Sequence, residues 1–579
     1  QVRYKSCHTQ RIKDNLYQVH LFTDEGYKQV RWKYPAFIED EKGKYTGLQG
    51  EKLSRVTDWD QNDPRLHFHD MKPYQRFLIE LYGDDDTPST THREVFFDIE
   101  IEMGGALTEE YIKRAPKPVT SIAYWDKQVD QWVILILDHE NQLKRTKARN
   151  KEIVPCRSEE ELLDTFLSRL EEIQPDILIG YNSDYFDIPY LYYRIYNLLG
   201  KSFVDRLSPI GKVYDVSDWD RNRWINIIGV ESLDYMKLHK KYSFKDEPSY
   251  KLDALGEKYI GLNKIEYEGS LDRLFKEDIQ KFIQYNFRDV EILKKLDEKF
   301  QYLSLTKNLA HKGKTNYSDV YHSSLIHDGA ISSYLLSQDT IPPSRDRNPI
   351  IKKNYAGGYL FCPKAGIYRY MFDEDLTSLY PSIIMSLNIG KETLVGRILM
   401  EQEKVSIAGK EIFNCRYAYN DLQQMDPSDT VTLQNNNRKT TNVTIKKLLE
   451  IIESTNLSVS ASGALFSNKK DSVLKIILSK WFDERVEYKN KMKEGYKSGD
   501  KVKGELFHLK QYTMKILLNS LYGATALPSF RYGNVILSEA ITLTGQRIIQ
   551  ESSLFVNKHM NELLNDPKKK QEFLNQIEC

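Results

Sequence analysis

The run Val95-Phe-Phe-Asp-Ile-Glu-Ile101 constrains this chain more than any other stretch. Its apolar half is unbroken, the pattern of a central strand buried on both faces. Side chains alternate across a strand, so Asp98 and Glu100 project from one face, two residues apart. Two acids on a buried strand repel each other unless protons or a cation compensate. A D-x-E pair by itself is ordinary solvated surface; the hydrophobic flanks set this one apart.

The following residues alternate strand and helix. Val119 to Trp125 and Trp132 to Leu137 read as strands. Glu159 to Ile173 carries Leu162, Leu163, Phe166, Leu167 and Leu170 at helical spacing. Pro175-Asp-Ile-Leu-Ile-Gly180 is a short buried strand, and Tyr181-Asn-Ser-Asp-Tyr-Phe-Asp187 follows, so Asp187 stands at a strand-to-helix junction. Lys276 to Phe300 reads as one amphipathic helix, with Tyr285 and Asp289 four apart on one face. Asp98, Glu100, Asp187 and Asp289 thus offer four hard oxygen ligands of the kind that suits Mg²⁺ or Mn²⁺. Two such ions about 4 Å apart activate a water and stabilise the leaving oxygen of a phosphodiester.

A second informative stretch is Phe372-Asp-Glu-Asp-Leu-Thr-Ser-Leu-Tyr-Pro-Ser-Ile383. The aromatic and β-branched Ile367 to Phe372 reads as a strand that ends near Asp375, and Pro381 is suited to the first position of a helix. A backbone turning there offers N–H groups to an anion. Further on, Val473 to Gln511 reads as a helical hairpin turning near Gly495 to Gly504. Arg485 and Lys489 share a face of its first arm; on the second, Lys515, Asn519 and Tyr522 line one side, ahead of Gly523. Tyr355-Ala-Gly-Gly358 places tandem glycines where a backbone can approach a ligand closely.

Composition narrows the class without naming a function. Lys plus Arg and Asp plus Glu each number 83, so any nucleic-acid contact rests on local basic surface rather than net charge. Five scattered cysteines with no C-x-x-C pair favour a reducing compartment and argue against a zinc site. No apolar run reaches the ~20 residues that cross a bilayer, and the expected location is cytoplasmic. Gln1 in place of Met reads as a trimmed start. Strand-like runs at Tyr17 to Phe22 and Phe77 to Tyr82 mark a small α+β or β-rich N-terminal domain. Leu433 to Thr441 reads as a polar loop and Thr444 to Ser454 as a short helix.

The order D-x-E, N-x-x-x-F-D, Y-x-x-x-D resembles the three motifs of DEDD-type 3′→5′ exonucleases in the tyrosine subclass. Leu376-Thr-Ser-Leu-Tyr-Pro-Ser-Ile383 and Lys515-Ile-Leu-Leu-Asn-Ser-Leu-Tyr-Gly523 resemble the first palm motif and the fingers motif of B-family DNA polymerases, nearest those of large tailed bacteriophages. The resemblance covers essentially the whole chain. It implies a multidomain α/β and α+β architecture: an N-terminal domain over 1–92, a ribonuclease-H-like exonuclease over 93–301, and a connector over 302–346 returning to the N-terminal domain. Palm (347–471), helical fingers (472–528) and a second palm part (529–579) follow.

It also implies roles. Asp98, Glu100, Asp187 and Asp289 hold two Mg²⁺ or Mn²⁺ ions, while Tyr285 and Glu100 orient the attacking water. In the second site Asp375 and the carbonyl of Leu376 hold metal at a dNTP, Ser378, Leu379 and Tyr380 cradle phosphate, and Tyr380 packs under the sugar. Arg485, Lys489 and Lys515 neutralise the triphosphate, with Asn519, Tyr522 and Gly523 completing the nucleotide side, and Tyr355, Gly357 and Gly358 touch DNA. Glu102 extends the strand face of Asp98, but the family pattern assigns the pair to 98 and 100. Tyr82-Gly-Asp-Asp-Asp-Thr-Pro88 looks like the third palm motif but precedes Asp375 and reads as a loop. The true third motif, Asp-Thr-Asp, does not follow the fingers before Cys579. The expectation is a proofreading polymerase that needs a separate palm-thumb subunit, with any sliding clamp reached through it, or that is a fragment. The alternatives are a self-sufficient exonuclease with a vestigial palm and a non-catalytic nucleic-acid-binding module. Primer-template DNA and single-stranded 3′ ends are the expected partners, with no membrane.

Overall fold

The computed structural model describes residues 2–218, 224–243, 245–346, 357–358, 365–367, 375–376, 378–399, 403–407, 410–414 and 417–577. The chain divides into two compact units, Gln1–Ile38 with Arg55–Gln338, and Glu39–Ser54 with Asp339–Cys579.

The first unit is organised around a seven-stranded mixed sheet. Its strands run, edge to edge, Thr146–Ala148, Lys151–Cys156, Gln131–Leu137, Val119–Asp126, Glu94–Ile101, Ile177–Gly180 and Glu231–Asp234. The Glu94–Ile101 strand is therefore interior, antiparallel to Val119–Asp126 and parallel to Ile177–Gly180. Val95, Phe97 and Ile99 point into a core with Leu162, Leu163, Phe166 and Leu167 of the Glu159–Ile173 helix. That helix starts where Ser158 accepts the Glu161 N–H at 3.2 Å and stops at left-handed Gln174. The opposite face of the strand, with Asp98 and Glu100, is covered by the Ile279–Phe300 helix. This is the ribonuclease-H-like scaffold, a mixed sheet with helices on both faces.

Two local expectations are corrected in this unit. Phe77 to Tyr82 is not a strand but the end of the Pro73–Tyr82 helix. Pro73 is preset for a first helical turn, and Tyr74, Phe77, Leu78 and Tyr82 fall on one face at 3.6-residue spacing. The expected helix from Lys276 is broken: Leu271–Glu277 ends at Asp278, which caps Ile279–Phe300 through the Lys281 N–H at 3.0 Å. Residues Tyr302–Gly313 and Ser323–Ser337 are helical and dock on the N-terminal strands: Tyr4 Oη donates to the Ala310 and Thr315 carbonyls, both at 3.0 Å. The acids of the Tyr82-Gly-Asp-Asp-Asp loop serve the same docking. Asp84 accepts from Ser337 Oγ, Asp85 pairs with Arg3 and Asp86 pairs with Lys312.

The second unit holds an antiparallel sheet in the order Thr440–Thr444, Thr430–Asn435, Leu394–Leu399, Ala464–Ser467, Leu457–Val459. Leu433 to Thr441 is accordingly the tip of a hairpin rather than a loop throughout; its exposed Thr and Asn side chains hide the strands from a hydrophobic pattern. The helix Ile445–Thr455, capped by Thr444, covers Ile398, Val431 and Leu465. Two long helices, Val473–Lys497 and Lys501–Thr525, form the expected hairpin. Their close approach depends on two glycines: a Cβ at Gly495 would lie 2.6 Å from the Gly504 backbone nitrogen. The short helix Leu379–Ser386 packs on this pair and on the Val535–Asn565 helix. It begins at Leu379, two residues before Pro381, a position in the first turn where no intrahelical N–H bond is forfeited. The strand expected over Ile367 to Phe372 lies outside the described residues, save Ile367.

Candidate active sites

The Glu94–Ile101 strand outruns its parallel neighbour. Pairing with Ile177–Gly180 ends at Phe96, opposite Ile179. Asp98 and Glu100 therefore stand beyond the carboxyl end of that neighbour, where the chain turns through Tyr181 to Phe186 into the Asp187–Leu199 helix. Carboxylate oxygens of Asp98, Glu100 and Asp289 lie within 4.8 Å of one another, two of these acids half-buried and Asp289 buried. Asp187 sits at the rim of this cluster, its Oδ1 accepting the Ile99 backbone N–H at 3.2 Å. Thus the structure gathers the residues singled out from three separate motifs.

Their electrostatics show the strain of that gathering. Burial, then Asp289, Glu100 and Asp187, pushes Asp98 well above the usual carboxylate range. Burial and Asp289 raise Glu100 to about 8, and burial raises Asp187 to about 7. Asp289 is raised by burial against the pull of Lys264. Without a cation the cluster holds protons; a divalent ion replaces them and removes the penalty. Asp289 Oδ1 is buried with no hydrogen-bond partner among the described residues, an oxygen left for such an ion. The donor set, all carboxylate oxygen, fits Mg²⁺ or Mn²⁺.

Two further groups complete the site. Lys264, in the loop before the Leu271–Glu277 helix, pairs with Asp289, sits 3.2 Å from Tyr285 Oη and lies over the Tyr285 ring. Asn286, fully buried, donates to Asp98 Oδ2 at 2.7 Å and accepts from Ser121 Oγ at 2.8 Å. Sequence reasoning missed both. A single lysine in a loop carries no local signal, whereas a buried asparagine one residue from Tyr285 could have been flagged as a ligand-orienting neighbour. Glu102 takes no part: it pairs with Lys117 at 2.8 Å. A cavity of about 470 Å³ opens over Asp98, Asp289 and Lys264, walled by Tyr181, Met236, Tyr250 and Leu252.

In the second unit, Asp375 and Leu376 are exposed ahead of the Leu379–Ser386 helix. Ser378, at φ 55°, turns the chain through a left-handed residue into that helix. The Tyr380 ring packs against Tyr522 with centroids 4.5 Å apart. Arg485 is half-buried on the Val473–Lys497 helix; its Nε has no partner among the described residues, and burial lowers its pKa. A desolvated guanidinium in that state is poised for an anion. Lys489 lies one turn on, while Lys515, Asn519, Tyr522 and Gly523 follow on Lys501–Thr525, Lys515 reaching over the Tyr512 ring. Space is open where a Gly523 side chain would be. Gly357 and Gly358 are described and exposed; Tyr355 lies outside the described residues.

One unit thus carries a carboxylate cluster on a mixed sheet, and the other a cation-bearing helical hairpin and a tyrosine-headed helix. The chain belongs to DNA polymerase family B: that family's description matches residues 325–578, and its exonuclease domain matches residues 76–255. The DNA-directed DNA polymerase of Escherichia phage RB69 is 28% identical across 96% of this chain and 66% of its own length. That of Enterobacteria phage T4 is 28% identical across 71% of this chain and 47% of its own. The DNA polymerase of Pyrococcus glycovorans is 25% identical across 84% and 52%. The chain thus spans about half to two thirds of the curated relatives it matches. No helix among the described residues is long and apolar enough to cross a membrane.

Proposed function

We propose that this chain is the exonuclease, first-palm and fingers portion of a proofreading DNA polymerase, removing nucleotides from single-stranded DNA 3′ ends in its first unit. The observation that carries the reading is the meeting of Asp98, Glu100 and Asp289 within 4.8 Å around an unpartnered buried oxygen. Asp98, Glu100, Asp187 and Asp289 would hold the divalent ions, Mg²⁺ or Mn²⁺. Bound there, such ions activate a water and stabilise the departing 3′ oxygen. Asn286 fixes the Asp98 carboxylate for this task, and Lys264 holds Asp289 and the Tyr285 hydroxyl in register. Tyr285 and Glu100 orient the attacking water, and the Tyr181–Tyr250 wall receives the terminal nucleoside.

In the second unit Asp375 and the Leu376 carbonyl would hold metal at an incoming dNTP. Ser378, Leu379 and Tyr380 meet its phosphate and sugar; the Tyr380 ring fills the space a ribose 2′-OH would need. Arg485, Lys489 and Lys515 neutralise the triphosphate, Asn519, Tyr522 and Gly523 face the nascent pair, and Tyr355, Gly357 and Gly358 contact primer-template DNA. Synthesis needs a second palm carboxylate, assigned to a palm-thumb polypeptide that also carries any clamp contact, acting in the cytoplasm of the host cell. The test is complementation: adding that polypeptide restores primer extension, dependent on Asp375. A confirmed complex that does not extend refutes the polymerase half and leaves a self-sufficient nuclease.

A further inference from the structure

The Val535–Asn565 helix contains a buried interior glycine, Gly545, where glycine is a poor helix former. Its reason is Tyr380. A Cβ built on Gly545 would lie 3.0 Å from Tyr380 Cε1 and 3.5 Å from Ile383 Cδ1, closer to the ring than side chains ordinarily pack. On another side the ring meets Tyr522, and a Cβ on Gly358 would lie 3.3 Å from the Tyr380 hydroxyl.

The helix turn bearing Gly545 cannot retreat from the ring, because its neighbours are fastened elsewhere. Thr544 Oγ1 accepts the Ala461 N–H at 3.1 Å. Gln546 Nε2 donates to the Gly357 carbonyl at 2.5 Å, and Arg547 pairs with Asp421 at 2.8 Å. Gln546 is itself buried, its Oε1 without a partner among the described residues. One helical turn therefore sets both the ring and the glycine pair beside it.

We propose that Gly545 and Gln546 are specificity-determining residues for the nucleotide sugar: Gly545 supplies the seat that fixes the Tyr380 ring, and Gln546 ties Gly357 to the same turn. The inference rests on the assignment of Tyr380 to the sugar of an incoming nucleotide. A methyl at 545 forces the ring toward Tyr522 and narrows the space between them. Loss of the Gln546 amide frees the glycine pair from the seat.

The test is calorimetric titration of the chain with dATP and with ATP in Mg²⁺, for wild type, Gly545→Ala, Gln546→Leu, Tyr380→Ala and the double variant Gly545→Ala/Tyr380→Ala. Wild type prefers dATP. Gly545→Ala weakens dATP by about threefold or more and changes the dATP-to-ATP ratio; in the Tyr380→Ala background the same methyl has no effect, as coupling between touching residues requires. Gln546→Leu also shifts the ratio. Alanine favours helix over glycine, so an unchanged or raised Tm for Gly545→Ala excludes misfolding as the cause. An unchanged ratio in Gly545→Ala, or the same weakening without Tyr380, overturns the inference while leaving the Tyr380 assignment standing. Equal binding of dATP and ATP by wild type removes the assignment itself, and the inference with it.

Discussion

Lys264→Met deletes the positive charge that pairs with Asp289 beside the carboxylate cluster and keeps most of the aliphatic stem. In the folded chain the Asp289 side chain is 3% exposed and Lys264 32%. Removing one partner of a buried ion pair costs about 3–5 kcal/mol, because the other charge is left desolvated. Solvent reaching the lysine reduces this to about 2–3 kcal/mol. A loss of that size in a large domain corresponds to a Tm drop of about 4–12 °C. Differential scanning fluorimetry in EDTA at pH 8 should show the drop. Adding Mn²⁺ or Mg²⁺ should recover most of it, since a bound dication supplies the missing positive charge, and the metal-induced shift should exceed that of wild type. Lys264→Arg, which keeps the charge, should lie between the two. An unchanged or higher Tm for Lys264→Met in EDTA would refute the reasoning, as would a loss that metal does not recover.

Three other perturbations separate the parts of the account. Glu100 and Asp187, raised to about 8 and about 7, bind protons in the folded chain that the unfolded chain releases. Metal-free stability should therefore fall as pH rises from the ordinary carboxylate range through about 8, and saturating Mn²⁺ should flatten the fall; a Tm series across pH 5–9 (from roughly two units below the lower value to one above the higher, chosen by linkage) reads it. Asn286→Leu strips Asp98 of its buried donor and should cut divalent affinity and cleavage rate by about 10–100-fold, the usual effect of losing a ligand-orienting bond; metal titration and single-turnover cleavage measure it. Gly495→Val drives a side chain into the Gly504 backbone and costs about 1–3 kcal/mol of overpacking. It should weaken dNTP binding in calorimetry while single-strand cleavage, housed in the other unit, continues.

What the sequence disclosed follows from the range of the forces involved. The Glu159–Ile173 helix was legible to the residue because its apolar spacing is local. The pairing of Asp98 with Glu100 followed from strand alternation, and that of Tyr285 with Asp289 from a single helical turn. Phe77 to Tyr82 misled because its short apolar run fits a strand when Pro73 is ignored. The Thr430–Asn435 and Thr440–Thr444 hairpin was hidden by polar strand faces, and the break at Asp278 by an amphipathic pattern that continues across it. Lys264 was invisible for another reason. It reaches Asp289 across 25 residues of chain, from a loop whose course depends on the packing of three helices. Local chemistry was readable; a side chain delivered by tertiary packing was not.

The central question is whether the Asp98, Glu100 and Asp289 cluster cuts DNA from its 3′ end. A 5′-labelled single-stranded oligonucleotide incubated with the chain in Mg²⁺ measures this directly. The predicted result is a ladder shortening progressively from the 3′ end, abolished by EDTA and absent in Asp98→Ala and Asp289→Ala. An inert wild-type chain in both Mg²⁺ and Mn²⁺, or undiminished digestion by Asp98→Ala, would contradict it.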